Sequence, residues 1–408
     1  MFSPENIRDD FPIIKTGELV YLDNAATTQK PSCVINSICE YYEKYNANVH
    51  RSNYSLAEKA TENYERARKK IANFLGVEEE RIIFTRGTTE AINLVAYSIF
   101  FGGLLQPGDK IAVTIAEHHS NFVPWQQLCK KFGVEMKIVD TTDEGYIPIE
   151  SFTEAMDEGI KLLAFTGMSN SLGVVMPYHE VCKAARERGI LTVLDGAQLV
   201  PHHRVKVDEI GCDFLAFSGH KILGPMGIGV LCGRRDILEK LPPFMYGGEM
   251  INKVTIEETS FNVLPYKFEA GTPNVEGAIG LAKAMEYVEN IEWNDAVKHV
   301  MSLTKRLLEG LASIAFVEIY GPGDDRQHSI VSFNVKGLHP HDVAQYLSSR
   351  KIAIRSGHHC AQPQLRRLGI KASCRASLYI YNTKDDVDRL LRALEEIVTV
   401  FPWVMRNE

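Results

Sequence analysis

Short apolar runs, each closed by a glycine or a small polar cluster, recur along the first two-thirds of this chain. Ile82-Ile-Phe-Thr, Ile111-Ala-Val-Thr-Ile-Ala, Leu162-Leu-Ala-Phe-Thr, Ile190-Leu-Thr-Val-Leu and Phe214-Leu-Ala-Phe are four to six residues long and β-prone. Such runs predict buried strands. Between them, residues 31–46, 55–75, 90–101 and 178–189 carry apolar side chains at helical spacing. Residues 55–75 also carry many charges, so that helix has a solvated face. Alternating strands and helices predict an α/β fold. The glycine-rich stretch 224–233 returns as a further strand, read as antiparallel, and residues 4–16 read as a short helix and turn.

The pattern changes further on. Residues 243–274 show little regular spacing, and an unpatterned stretch this long inside a domain is usually functional or disordered. Residues 275–310 are helical, 328–335 alternate like a strand, 341–350 are helical, 352–355 and 376–381 read as strands, and 384–400 as a helix. This βαββα order suits a small α+β domain beside the larger one. The expected division is 18–285 for the large domain, with 1–17 and 286–408 forming the small one.

Composition narrows the function classes. Hydrophobic residues make up 45% and charged residues 24%, ordinary for a globular protein, and the net charge of −7 gives no general attraction to nucleic acid or anionic lipid. The longest greasy stretch, 91–105, is too short to span a bilayer and contains Asn93 and Ser98. The first ten residues are acidic and lack a signal-peptide core, so the expected compartment is the cytoplasm. Eight cysteines (33, 39, 129, 182, 212, 232, 360 and 374) are scattered without a Cys-x-x-Cys pair, and most read as buried, reduced thiols. No Gly-x-Gly-x-x-Gly and no Gly-Lys-Ser/Thr loop is present, so nicotinamide and nucleotide binding lack support. Adjacent His118 and His119 diverge, and His358-His359-Cys360 has poor ligand geometry, so no metal is expected.

The chemistry centres on two strand ends. One apolar run ends in Ser218-Gly-His220-Lys221 and its neighbour ends in Asp195. Ligands of α/β proteins collect at such ends. A lysine nucleophile and a fixed anion together suit pyridoxal 5'-phosphate (PLP) chemistry: the lysine bonds the aldehyde, and the aspartate keeps the pyridine nitrogen protonated. Gly87-Thr88-Thr89 at a strand-to-helix turn then reads as a phosphate cradle rather than a plain N-cap.

With Arg355-Ser-Gly-His-His-Cys360-Ala and Phe268-Glu-Ala-Gly-Thr272-Pro-Asn added, the chain resembles the fold-type I PLP enzymes of the class V aminotransferase branch. Within them it is most similar to the group II (Suf-type) cysteine desulfurases. The resemblance covers nearly the whole chain. It implies a large domain with a mostly parallel seven-stranded sheet between helices, and a smaller α+β C-terminal domain carrying the cysteine loop. It assigns Thr88, Thr89, Ser218 and His220 to the phosphate, with Thr272 reaching the partner's phosphate across an obligate homodimer with shared sites. It places Asp195 on the pyridine nitrogen, Asn170 and Gln198 near the phenolate oxygen, and His118 over the ring, helping to move protons. Ala25 and Ala26 border the substrate, and His50 and Arg51 lie near the dimer interface.

Cys360 sits in a polar, cationic, glycine-containing setting that favours thiolate, and the resemblance makes it the catalytic thiol. Arg375 is implied as the clamp on the substrate carboxylate, assisted by Asn170, with Arg355 also lining the pocket. Cys374 and His119 receive no chemistry. The expected activity is conversion of L-cysteine to L-alanine, with sulfur captured on Cys360 and passed to an acceptor or scaffold protein of iron–sulfur assembly. Selenocysteine or cysteine sulfinate as substrate stays open on this scaffold. A plain aminotransferase needs no thiol at 360, and a non-enzymatic binding protein needs no lysine–aspartate pair.

Overall fold

The computed structural model describes residues 2–406. Seven strands form the central sheet: β1 Ile82–Thr85, β2 Lys110–Thr114, β3 Glu135–Val139, β4 Leu162–Thr166, β5 Leu191–Asp195, β6 Phe214–Ser218 and β7 Gly229–Gly233. Their order is β1–β7–β6–β5–β4–β2–β3, and only β7 runs against the rest. Period-two alternation sorts the strand side chains onto two faces. In β6, Phe214 and Ala216 join one apolar cluster, while Leu215 and Phe217 join the other. The first cluster is covered by helix Thr88–Phe101 and the fully buried Trp125; the second runs under helices Ser55–Leu75 and Val275–Asn290 and on into the small domain. Burial on both faces explains why these strands read as unbroken apolar runs rather than as alternating ones.

β2 lies between β3 and β4, so the chain leaves β2 and β4 in opposite directions and opens a crevice between their carboxyl ends. Asp195 ends β5, and the loops beyond β2, β4 and β6 carry His118, Asn170 and Lys221.

A second sheet contains β8 Val317–Tyr320, β9 Ile330–Val335, β10 Arg355–Gly357 and β11 Ser373–Ser377, in the antiparallel order β8–β9–β11–β10. Beside it, Val20–Tyr21 pairs in parallel with Ile352–Ala353 as a separate two-stranded sheet, and Asp23 bridges Ser377 at the end of β11. That pairing leads residues 23–26 into the crevice. Arg8 anchors the N-terminal segment by a buried ion pair to Asp386 at 2.8 Å, and Asp386 also completes the capping box of Thr383.

Several boundaries differ from the sequence reading. The stretch 243–274 contains a hairpin, Ile251–Val254 with Thr259–Phe261, whose exposed strands bury no periodic face. β8 was not foreseen, because its side chains are all half-buried or exposed. The strand expected at 376–381 lies at 373–377, so Arg375 is central in β11 rather than at its start. The apolar residues 378–381 are buried but leave the sheet.

Candidate active site

The crevice holds a cavity of about 180 Å³. Ala25, Ala26, Thr88, Thr89, His118, Asn170, Asp195, Gln198, Ser218, His220, Lys221, Arg355 and Arg375 all line it. These residues come from both sheets and from segments up to 350 positions apart. Two expected residues lie elsewhere. Thr272 borders a separate surface crevice of about 560 Å³ with Glu269 and Asn274. Cys360 is half-buried beside the cavity, while Arg355 and His359 on either side line it.

Lys221 ends a single 3-10 turn, Gly219–Lys221, directly after β6. Burial pushes its amine down to about 8; Asp195 opposes that, while Arg375 and Arg355 add to it. The turn is held from outside by its His220 carbonyl, which accepts from the Thr28 backbone N–H at 3.0 Å, both threonine hydroxyls of residues 27 and 28 at 3.1 Å, and Lys30 Nζ at 2.9 Å. Asp195 is fully enclosed; one oxygen accepts the Ala197 N–H at 2.9 Å, and burial raises its pKa.

Helix Thr88–Phe101 starts at the wall of the cavity with no side-chain cap. Its first turn therefore leaves backbone N–H groups open toward an anion. Thr88 N–H donates to Ser218 Oγ at 2.9 Å, and the two hydroxyls lie 2.7 Å apart. Gly87 has φ 155, and a Cβ on Gly229 would sit 2.5 Å from Gly87 Cα, so both positions require glycine for β7 and this turn to meet. His220 Nδ1 is buried without a protein partner beside the same cradle. Open N–H groups, three hydroxyls and an orphaned imidazole nitrogen fit a phosphate monoester. The enclosed carboxylate and amine beyond it fit a pyridine aldehyde.

His118 Nδ1 accepts the Ser120 N–H at 3.1 Å and lies 2.7 Å from Ser120 Oγ. Its proton is therefore on Nε2 in the neutral ring. Burial, then the nearby cations Lys221, Arg355 and Arg375, push its pKa down to about 3. His118 is thus a neutral donor into the cavity. Glu117 before it is fully buried and accepts from Asn121 Nδ2 at 2.6 Å, the Thr166 N–H at 2.7 Å and the Thr114 hydroxyl. Burial still raises its carboxyl to about 8. These bonds fix the histidine turn to the ends of β2 and β4.

Arg355 and Arg375 face each other directly across β10 and β11. Like charges opposite one another destabilise a strand pair, so this placement argues for an anion between them. Arg375 is fully buried; its guanidinium donates to Asp23 at 3.1 Å and to the Asn170 carbonyl at 2.7 Å, and Nε has no partner. Burial lowers it to about 10. Asp23, Glu117 and His359 went unassigned in the sequence reading. Asp23 gains its partner Arg375 only through a long-range contact, whereas Glu117, beside the histidine pair, combines the local donors Thr114 and Asn121 with the distant Thr166 N–H.

Two amides have more local partners than expected. Gln198 Nε2 donates to the Ala25 carbonyl at 2.7 Å, and Asn170 Nδ2 donates to the His359 carbonyl at 2.6 Å. His50 and Arg51 lie outside the cavity, with Glu249 accepting from Arg51 at 2.6 Å. The thiols separate as well: burial pushes Cys129, Cys182, Cys232 and Cys374 up to about 12, and Cys39 is exposed on the surface. Among the described residues no helix is long and apolar enough to cross a membrane.

The loop before Cys360 is strained. His359 and Cys360 have φ of 51° and 54°. Left-handed backbone at a non-glycine residue costs about 1–3 kcal/mol each, so this turn persists only because its surroundings hold it. His359 Nε2 lies 2.9 Å from Ser373 Oγ and 3.0 Å from its carbonyl, and the Cys360 carbonyl accepts the His119 N–H at 2.8 Å.

The fold and this cavity define a PLP-dependent enzyme of fold type I. The chain belongs to the class-V aminotransferase family, whose model matches residues 20–390. Within that family it is similar to several cysteine desulfurases. A probable cysteine desulfurase of Halalkalibacterium halodurans is 44% identical over 403 residues, covering 98% of each chain. The apo structure of a cysteine desulfurase from Thermococcus onnurineus NA1 matches at TM-score 0.94 and 42% identity, over 98% of this chain and 100% of that one. An Escherichia coli cysteine desulfurase solved in an S-sulfonic acid form matches at TM-score 0.91 and 36% identity, over 98% and 99%.

Proposed function

We propose that this protein is a PLP-dependent cysteine desulfurase that converts L-cysteine to L-alanine and captures the sulfur on Cys360. The observation that carries the reading is one cavity joining Lys221, Asp195 and a phosphate cradle to the opposed Arg355–Arg375 pair, with Cys360 beside it. PLP bound there supplies an electron-accepting ring for the pair released at the substrate Cα. Thr88, Thr89, Ser218 and His220 would hold its phosphate, and Asp195 its pyridine nitrogen. Arg375, oriented by Asp23, holds the substrate carboxylate, with Arg355 opposite. Lys221 Nζ takes the Cα proton. Cys360 Sγ, as thiolate, forms the S–S bond while the substrate Cβ–S bond breaks. The electron pair left on carbon ends in a C–H bond of alanine, and Cys360 is left as a persulfide. His118, neutral with hydrogen on Nε2, covers the site and excludes water.

The relatives' names and the thiol beside the cavity favour this over transamination, which leaves Cys360 without a task. The same reading makes the chain a homodimer in which Thr272, outside its own cavity, serves the partner's phosphate. It also calls for an acceptor protein that takes the persulfide sulfur toward iron–sulfur assembly in the cytoplasm, and for a division near 285 between the domain holding PLP and the one holding Cys360.

Alanine and sulfide release from L-cysteine with a reductant tests the central step. Cys360→Ala is expected to keep the cofactor absorption band and lose at least about 10³-fold in alanine formation, because no other thiol lies beside the cavity. Alanine release at the wild-type rate would remove Cys360 from the mechanism and point to a lyase. The Lys221 amine gives a second test. Its free base is the form that attacks an aldehyde, so PLP uptake by cofactor-free protein should rise about tenfold per pH unit below 8 and level off above it. Borohydride trapping followed by mass spectrometry measures it. A tenfold rise per unit that continues beyond pH 9 would contradict a lowered amine.

A further inference from the structure

His119 touches the Cys360 loop at two points. Its backbone N–H donates to the Cys360 carbonyl at 2.8 Å, and its ring Nε2 accepts the Gln362 N–H at 3.2 Å. Gln362 opens the helix Gln362–Arg367, whose N-cap is Ala361 and has no side-chain acceptor. The ring of His119 therefore takes the place of the missing cap. The two bonds bracket the residue between them and come from the large sheet's side of the crevice, whereas Cys360 belongs to the segment beyond β10. The turn that carries His119 is itself fixed. Glu117 is held by three donors, and Asn121 accepts the Trp125 indole N–H at 3.0 Å. On the other side, consecutive left-handed residues His359 and Cys360 do not keep their shape unaided.

We infer that His119 is a positioning residue for Cys360: its ring nitrogen holds the cysteine turn at the cavity by capping the helix that follows. The inference rests on the desulfurase reading only for its consequence in turnover. Release of the cap frees the left-handed turn to relax and moves Sγ away from substrate sulfur. A displacement of about 1 Å at a reacting atom costs about 10²-fold in rate without weakening binding of the rest of the substrate.

The test compares His119→Gln with His119→Asn in the full-length, PLP-loaded enzyme. A glutamine amide oxygen reaches the place of Nε2, whereas an asparagine amide reaches only that of Nδ1. Iodoacetamide labelling of the Cys360 peptide, read by mass spectrometry, reports the turn without turnover. His119→Asn should label about threefold or more faster than wild type and lose about tenfold or more in kcat for alanine, with KM for L-cysteine within about twofold. His119→Gln should return labelling and kcat to within about threefold of wild type. If the two variants match each other in labelling and kcat, whether both equal wild type or both lose the cofactor band and melt early, His119 does not act through its ring nitrogen. Absence of alanine formation by the wild type would overturn the desulfurase reading instead, and the labelling contrast would still decide the cap.

Discussion

Lys221→Ala should abolish alanine formation while leaving the fold and PLP binding in place. Proton transfer by a positioned base is worth about 10²–10⁴-fold alone, and the lysine also forms the covalent link to the cofactor, so the loss should exceed about 10⁴-fold. The position tolerates the change because the turn does not depend on the side chain. It is held by four donors on the His220 carbonyl and by the Gly219 N–H on Ile228. No other amine can take over. Lys30, half-buried and outside the cavity lining, has Nζ engaged by the Thr28 and His220 carbonyls, and burial lowers it to about 7. The variant should bind PLP without a covalent link, lacking the borohydride-trapped adduct on peptide mapping, and added methylamine should restore a measurable part of turnover. Turnover within tenfold of wild type would mean that Lys221 is not the base.

Why so much of this was readable follows from where the information lies. β4, β5 and β6 are buried on both faces, so their sequences are unbroken apolar runs, and the residues that end them are local features of the chain. Asp195, Ser218 and Lys221 could therefore be picked out as strand ends, and Thr88 as a hydroxyl at a helix start. The role of Cys360 rested on a polar local setting and on family resemblance. What stayed hidden depends on contacts between distant segments. Asp23 matters because it meets Arg375, 352 positions away, and His119 because it meets Gln362, 243 positions away. The hairpin at 251–261 and strand β8 are exposed or half-buried, so no periodic apolar face announced them. Arg355 and Arg375 are both expected at the pocket, but only the register of β10 with β11 sets them opposite. The amides Asn170 and Gln198 were read for the cofactor alone, whereas both also tie down neighbouring backbone.

The cofactor-free protein should lose stability steeply between pH 6.5 and 4.5. Burial holds His118 at about 3, His202 at about 3, His203 at about 4, His220 at about 4 and His359 at about 2, against an ordinary value of 6.5. Below pH 6.5 the unfolded chain binds protons at these five rings and the folded one does not. Stability is therefore fully present above 6.5 and falls as pH drops toward the folded values. Buried carboxyls pull the other way: Glu117 at about 8, and Asp195 and Asp23 raised by burial, hold protons in the fold that the open chain gives up. The difference leaves about two to four protons taken up on unfolding, or about 3–5 kcal/mol per pH unit. A domain of ordinary stability, about 5–15 kcal/mol, is exhausted within roughly one to five such units, so the urea midpoint should fall steeply from pH 6.5 to 4.5. His203→Gln should flatten the slope by about one proton, since His203 Nε2 is buried without a partner beside His328. Urea titrations from pH 7 to 4.5 measure both quantities. A midpoint constant over that range would mean that these histidines are already charged in the fold, and His118 would then be an imidazolium rather than the neutral donor its bond to Ser120 requires.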